Sequence, residues 1–276
     1  PAVTQAEMLL HLPMGSPTTA APGTDAAPFV FEIGTEELPA SHLSGALAQL
    51  REWVPGALDG LRLPHGDISI WGTPRRLIVA VDALGLAQAD EERIVKGPPV
   101  QAAFGKDGQP TRAAEGFARS RGVAVEDLRV ADIEGGQYVV AHQRITGRPA
   151  LEVLAEALPG WLSRLHFPRS MRWNGSGTAF SRPVRWILAL LGEHVVPCTY
   201  AGVESGRITR GPRPAGSPPI ALTSASDYHA ALVAYGVLLD PVVREAEIAR
   251  QARLAAAEVG GEIAVDADLL AEVANL

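Results

Sequence analysis

Two pairs of strand-like runs, each folded about a tight turn, constrain this chain more than any other feature. ISIWGTPRRLIVAVDAL reads as two strands around Gly72-Thr73-Pro74, the second (LIVAV) apolar enough to lie inside a sheet. RVADI and QYVVAHQRI flank Glu134-Gly135-Gly136 as a second hairpin. Hairpins join antiparallel neighbours, whereas parallel strands need long crossovers, usually helical. Helical patterns stand between these runs without regular strand–helix alternation. The expected class is α+β, with mixed, mainly antiparallel sheets, packed helices and a helical C-terminal segment.

The remaining elements follow from periodicity. PFVFEI reads as a buried strand, and SHLSGALAQLREWV places Leu43, Leu47, Leu50 and Val54 on one helical face. VQAAFGKDGQPT suggests a short hairpin with Asp107-Gly108 at its tip. Thr111 caps the helix TRAAEGFARSRG, which Gly122 closes. Pro149 stands where a helix starts, and LEVLAEALPGWLSRL turns Leu151, Leu154, Leu158, Leu162 and Leu165 inward. VRWILALL is apolar and VVPCTYAGV strand-like. Residues 1–28, rich in Ala, Pro, Thr and Gly, read as a flexible linker, and residues 29–225 as the α+β region. Residues 226–276 turn helical, with Asp240-Pro241 opening a long helix. The chain reaches Asn275-Leu276 with no closing turn, which suggests the start of a further part.

Several function classes fall away. No run approaches the roughly 18 apolar residues that suggest a membrane helix. Cys198 is the single cysteine and the histidines form no His-x-x-x-His pair, so neither a disulfide framework nor a Cys- or His-built metal site is expected. The expected setting is the cytoplasm. Gly97 and Gly105 have the wrong spacing for a phosphate loop, and no Gly-x-Ser-x-Gly exists. FEIGTEELPA carries Glu32, Glu36 and Glu37, but no second group nearby converges on Glu36 or Glu37 for proton chemistry. These acids are expected at the positive end of the coming helix, a structural role.

Net charge is −7, yet the chain holds acid-free stretches. From Ala157 to Gly192 there is no Asp or Glu, while Arg164, Arg169, Arg172, Arg182 and Arg185 are present. Ser205 to Ser226 repeats the pattern with Arg207, Arg210 and Arg213. Local cations without near acidic neighbours suit an anion-binding surface, because steering depends on local potential. Trp161, Trp173 and Trp186 lie in the first stretch and are expected in the core rather than as base-stacking platforms. Arg75-Arg76 either contact RNA or salt-bridge nearby acids. Lys96 and Lys106 are expected in solvated loops.

FEIGTEELPA, GTPRRL, KGPPVQAAF with DGQPTRAAEGFARSRGV, then LHFPRSMRW, FSRPVRWILALL and SGRITRG occur in one order and spacing. Together they resemble the beginning of the bacterial glycyl-tRNA synthetase beta subunit, from about Phe29 to the last residue. The chain departs from the pattern at TRGPRP, where Pro212 stands for a usual histidine. Residues 1–28 fit a linker from a fused alpha subunit, since some members join the two subunits. The resemblance implies a tRNA-recognising, alpha-subunit-associated part of glycine–tRNA ligase, an aminoacyl-tRNA synthetase. It implies no catalytic centre, metal or cofactor here, with ATP and Mg used by the alpha subunit. The partners implied are that subunit and tRNA(Gly). The nucleic-acid-binding candidates are Arg75, Arg76, Arg169, Arg172, Arg182, Arg185, Arg207 and Arg210. Two rival readings remain open: a hydrolytic module that edits mischarged tRNA, and a structural brace for the alpha subunit.

Overall fold

A computed structural model describes residues 25–105, 108–133 and 135–275. The chain forms two compact units, one built from the segments up to Ala87 and from Pro149 onward, the other Gln88–Arg148. The first unit opens with β1 (Ala26–Thr35), α1 (Ala40–Gly60), β2 (Ile68–Thr73) and β3 (Arg76–Gly85). The second holds β4 (Glu91–Pro99), α2 (Val100–Ala103), α3 (Arg112–Arg121), β5 (Arg129–Ile133) and β6 (Gly136–Ile145). The first unit resumes with α4 (Ala150–Arg164), β7 (Met171–Arg172), β8 (Ala179–Phe180), β9 (Val184–Leu191) and β10 (His194–Val195). Then come β11 (Thr199–Tyr200), β12 (Val203–Gly206), β13 (Ile208–Arg210) and β14 (Pro219–Ala221). It ends with α5 (Tyr228–Ala234), α6 (Pro241–Glu258) and α7 (Ala267–Val273).

In the first unit the main sheet runs β11-β12-β9-β1-β3-β2, with β10 also on β9. Every pairing is antiparallel except β12 with β9. Both faces are covered, which is why β1, β3 and β9 read as nearly continuous apolar runs. One face sends Phe29, Phe31 and Ile33 toward a core built with α1 and α4. Leu43, Leu47, Leu50 and Val54 of α1 are all buried there, as the periodicity predicts. Leu154, Leu158, Leu162 and Leu165 are buried as well, while Leu151 packs half-buried at the margin. Each such leucine contributes about 1.5–3 kcal/mol by leaving water. Trp161 belongs to this core, edge-on to Phe31 and Trp53. On the opposite face Val30, Ile78, Leu188 and Leu190 meet Ile220, Leu222, Tyr228 and Leu232. Tyr228, Leu232 and Leu239 thus put the beginning of the helical C-terminal segment into the core of this unit.

The second unit is a sheet of order β4-β6-β5 covered by α2 and α3 around Ala114, Ala118 and Val139. Thr111 caps α3 by accepting from Ala113 N at 3.3 Å, and Gly122 closes it at φ 68°. VQAAFGKDGQPT begins as the short α2 rather than as a strand, and the antiparallel pairing expected there is reduced to a bridge between Phe104 and Pro110. Pro99 precedes it with extended backbone and starts the helix. Lys96 lies in β4 rather than in a loop, its Nζ 3.8 Å from the Tyr138 ring centroid. Lys106 and Asp107 lie outside the described residues, as does the linker reading up to residue 24. The last residues of that stretch, Ala26–Pro28, begin β1.

Candidate nucleic-acid interface

Alternation along β1 decides the fate of FEIGTEELPA. Phe31 and Ile33 take the face covered by α1 and α4, so Glu32 between them takes the other and is fully buried. Its Oε1 accepts from Trp186 Nε1 at 2.8 Å and from Thr209 Oγ1 at 2.9 Å. The Arg76 guanidinium stands 3.7 Å from the same oxygen. Gly34 pairs with Trp186 on β9 and with Arg76 on β3. Its missing side chain is the space the indole occupies, because a Cβ there would lie 1.9 Å from Trp186 Cε2. Tyr228 is enclosed beside this network; burial, and then the Glu32 charge, push its phenol pKa well up.

Glu36 and Glu37 do not enter the helix. The α1 N-cap is Pro39 and no acidic residue occupies its first turn. Backbone bonds from Glu36 N to Pro183 O and from Leu38 N to Pro74 O hold the segment against the starts of β9 and β3. There Glu36 meets Arg185 at 3.3 Å and Glu37 meets Arg213 at 2.7 Å. The expectation that the arginines of the acid-free stretches lack carboxylate neighbours therefore fails at Arg185 and Arg213. Their partners come from β1's C-terminal end, far away in sequence.

The other candidates separate by exposure and partner. Arg76 is 2% exposed, so it braces Glu32 and donates to Arg210 O at 2.7 Å rather than meeting RNA. Arg207 spends its guanidinium on the carbonyls of Glu193, Leu222 and Thr223, tying β13 to its neighbours. Arg75 is half-buried, donates to Ser217 Oγ at 2.9 Å and lies 5.6 Å from the Trp186 ring centroid. Burial lowers its pKa, Glu36 opposes that, and Arg213 and Arg76 add to the lowering. Arg169 and Arg172 are exposed around the β7–β8 hairpin, Arg172 holding Gly177 O at 2.9 Å. Arg182 is half-buried and reaches its neighbour Ser181 O at 3.1 Å. Arg210 is exposed. Arg169, Arg172, Arg182 and Arg210 meet no carboxylate among the described residues.

The hairpin is anchored from below. Phe167 and Phe180 meet edge to face at 4.7 Å, and Asn174 Nδ2 donates to Ala201 O at 2.7 Å. Trp173 packs half-buried on the first core. His42 Nδ1 and Ser181 Oγ form a 2.6 Å hydrogen bond that no local pattern signals. Ser181 is 1% exposed, so this pair clasps the hairpin to α1 and offers no accessible nucleophile. No cluster of three or more His, Cys, Asp or Glu fit for a metal occurs among the described residues. Nor is any described helix long and apolar enough to cross a membrane.

The chain also resembles known proteins along nearly its whole described length. The family model for the glycyl-tRNA synthetase beta subunit matches residues 29–276. The glycine–tRNA ligase beta subunit of Desulforudis audaxviator is 47% identical over 251 residues, covering 91% of this chain and 36% of that protein. The beta subunit from Picosynechococcus sp. is 43% identical over 254 residues, again 91% and 36%. The chloroplastic/mitochondrial glycine–tRNA ligase 2 of Arabidopsis thaliana is 43% identical over 254 residues, 91% of this chain and 24% of that protein. The chain spans about a third of the length of the bacterial relatives.

Proposed function

Because this chain belongs to the glycyl-tRNA synthetase beta subunit family, we propose that it contributes tRNA recognition and alpha-subunit association to the attachment of glycine to tRNA(Gly). In this reading the alpha subunit activates glycine with ATP and Mg, and this part of the beta subunit supplies no reacting group. The observation that carries the tRNA assignment is the set Arg169, Arg172, Arg182 and Arg210, cations without carboxylate partners among the described residues on an enzyme-family chain whose net charge is −7. Such cations are free to take RNA phosphates, each contact releasing condensed counterions. The planar guanidinium fork grips phosphate oxygens through two hydrogen bonds.

The test uses the assembled alpha–beta enzyme and tRNA(Gly). Replacing Arg169 and Arg172 together by Ala should weaken binding and flatten the slope of log K against log salt by about 2, roughly one for each phosphate no longer held. Arg185→Ala should move the slope less, since Glu36 already neutralises that side chain. A double variant with the affinity and slope of the parent enzyme removes the hairpin from the interface.

A further inference from the structure

The first unit carries an open groove of about 600 Å³ beside the β2–β3 turn. Four arginines line it, Arg75, Arg76, Arg213 and Arg244, against a single carboxylate, Glu37. That carboxylate is taken by Arg213 and the charge of Arg76 by Glu32. Arg244 directs its donors to the carbonyls of Gly72, Leu238 and Ala274 and to Asn275 Oδ1. It makes no carboxylate contact among the described residues. Arg75 donates to the neutral Ser217 hydroxyl and lies over the Trp186 ring, and its buried Nε has no hydrogen-bond partner among the described residues. Arg75 is thus a partly desolvated guanidinium that Glu36 and Glu37 balance without an ion-pair contact, and its unpartnered donor can be given to a bound anion, whereas Arg244 has its donors satisfied.

The rest of the groove is apolar, with Val237, Leu238 and Ile248 in its wall. Tyr235, which precedes the lining residue Gly236, is 45% exposed and lies against the lining residue Gly211, where an added Cβ would stand 3.4 Å from Tyr235 Cδ1. A partly exposed aromatic residue near the unpartnered Arg75 donor matches the chemistry of an unpaired nucleotide, whose base stacks while its phosphate meets arginine. A base-paired duplex offers the phosphates but keeps its base faces stacked inside. An acidic peptide would use the cations and leave the ring without a planar partner.

We propose that this groove binds one unstacked nucleotide of tRNA, with the phosphate at Arg75 and the base against Tyr235 and the Val237–Leu238 wall. The proposal rests on the tRNA-binding reading and adds a second contact, distinct in kind from the β7–β8 hairpin. Stacking is insensitive to salt while phosphate contact is not, so the two halves of the site separate experimentally.

The experiment measures tRNA(Gly) affinity across a salt series for the assembled enzyme with full-length subunits. Tyr235→Ala should weaken binding by about 5- to 100-fold with an unchanged salt slope, the range of a lost base–aromatic stack. Tyr235→Phe should restore it. Arg75→Ala should weaken binding and lower the slope by about 1. If both alanine variants bind like the parent while Arg169→Ala/Arg172→Ala binds weakly, the groove proposal is overturned and the tRNA reading stands. If Tyr235→Ala instead separates the subunits on gel filtration, and the complex that remains binds tRNA normally, the groove is a protein-docking surface and the proposal is overturned. A parent enzyme that does not bind tRNA removes both readings.

Discussion

Gly34→Ala tests the packing that gives FEIGTEELPA its shape. The added methyl would sit 1.9 Å from Trp186 Cε2 and 2.0 Å from Cδ2, well inside contact distance. These atoms belong to a rigid ring, 8% exposed, whose Nε1 is bound to the buried Glu32. No flexible chain end can move aside, so the indole must shift as a whole. Overpacking a filled core costs about 1–3 kcal/mol. Displacing Nε1 strips a donor from a buried carboxylate, at about 1.5–3 kcal/mol for a hydrogen bond to a charged group. The two effects together predict a loss of roughly 3–5 kcal/mol, a large part of the 5–15 kcal/mol typical of a folded domain. Urea unfolding followed by far-ultraviolet circular dichroism measures it, in a cycle with Trp186→Ala. Removing the ring removes the collision, so Gly34→Ala should cost much less in the Trp186→Ala background. A single variant within about 0.5 kcal/mol of the parent, or two substitutions whose costs simply add, would refute the argument.

Tyr228→Phe should change the response to alkali. The phenol pKa is raised well above its ordinary 10.0 by burial and then by Glu32, so the folded state favours the neutral form. That preference is fully present below the unfolded pKa and is lost as pH rises from there toward the folded one. The parent should therefore lose stability relative to the Phe variant above about pH 10, and urea midpoints that fall in parallel from about pH 8 to 11 would contradict this. Thr111→Ala removes both the cap on Ala113 N and the hydroxyl's 2.7 Å bond to Ala102 O. A loss of about 1 kcal/mol is expected. Amide hydrogen exchange across Arg112–Arg121 should quicken, and unchanged protection there would count against the cap.

Local pattern carried much of the fold. The face of α1, the caps at Thr111, Gly122 and Asp240, and the two hairpins were all legible, because each depends on residues within a few positions of one another. β4 was missed, since Glu91, Glu92, Arg93 and Lys96 break its apolar alternation. The family resemblance, carried by motif blocks in register, was legible too. Charge pairing was not. Acid-free stretches single out the arginines, but which of them are neutralised depends on partners distant along the chain. Glu37 reaches Arg213 across 176 positions, and Glu32 reaches Trp186 across 154. Sheet pairing of β1 with both β3 and β9 brings Glu32 to Trp186. The same pairing buries Arg76 and leaves its sequence neighbour Arg75 half-buried, although both line the groove. Sequence alone therefore determined most of the elements and the residue types available for binding anions. The tertiary structure decided which cations remain unpaired, because Coulomb and hydrogen-bond partners are chosen by distance in space.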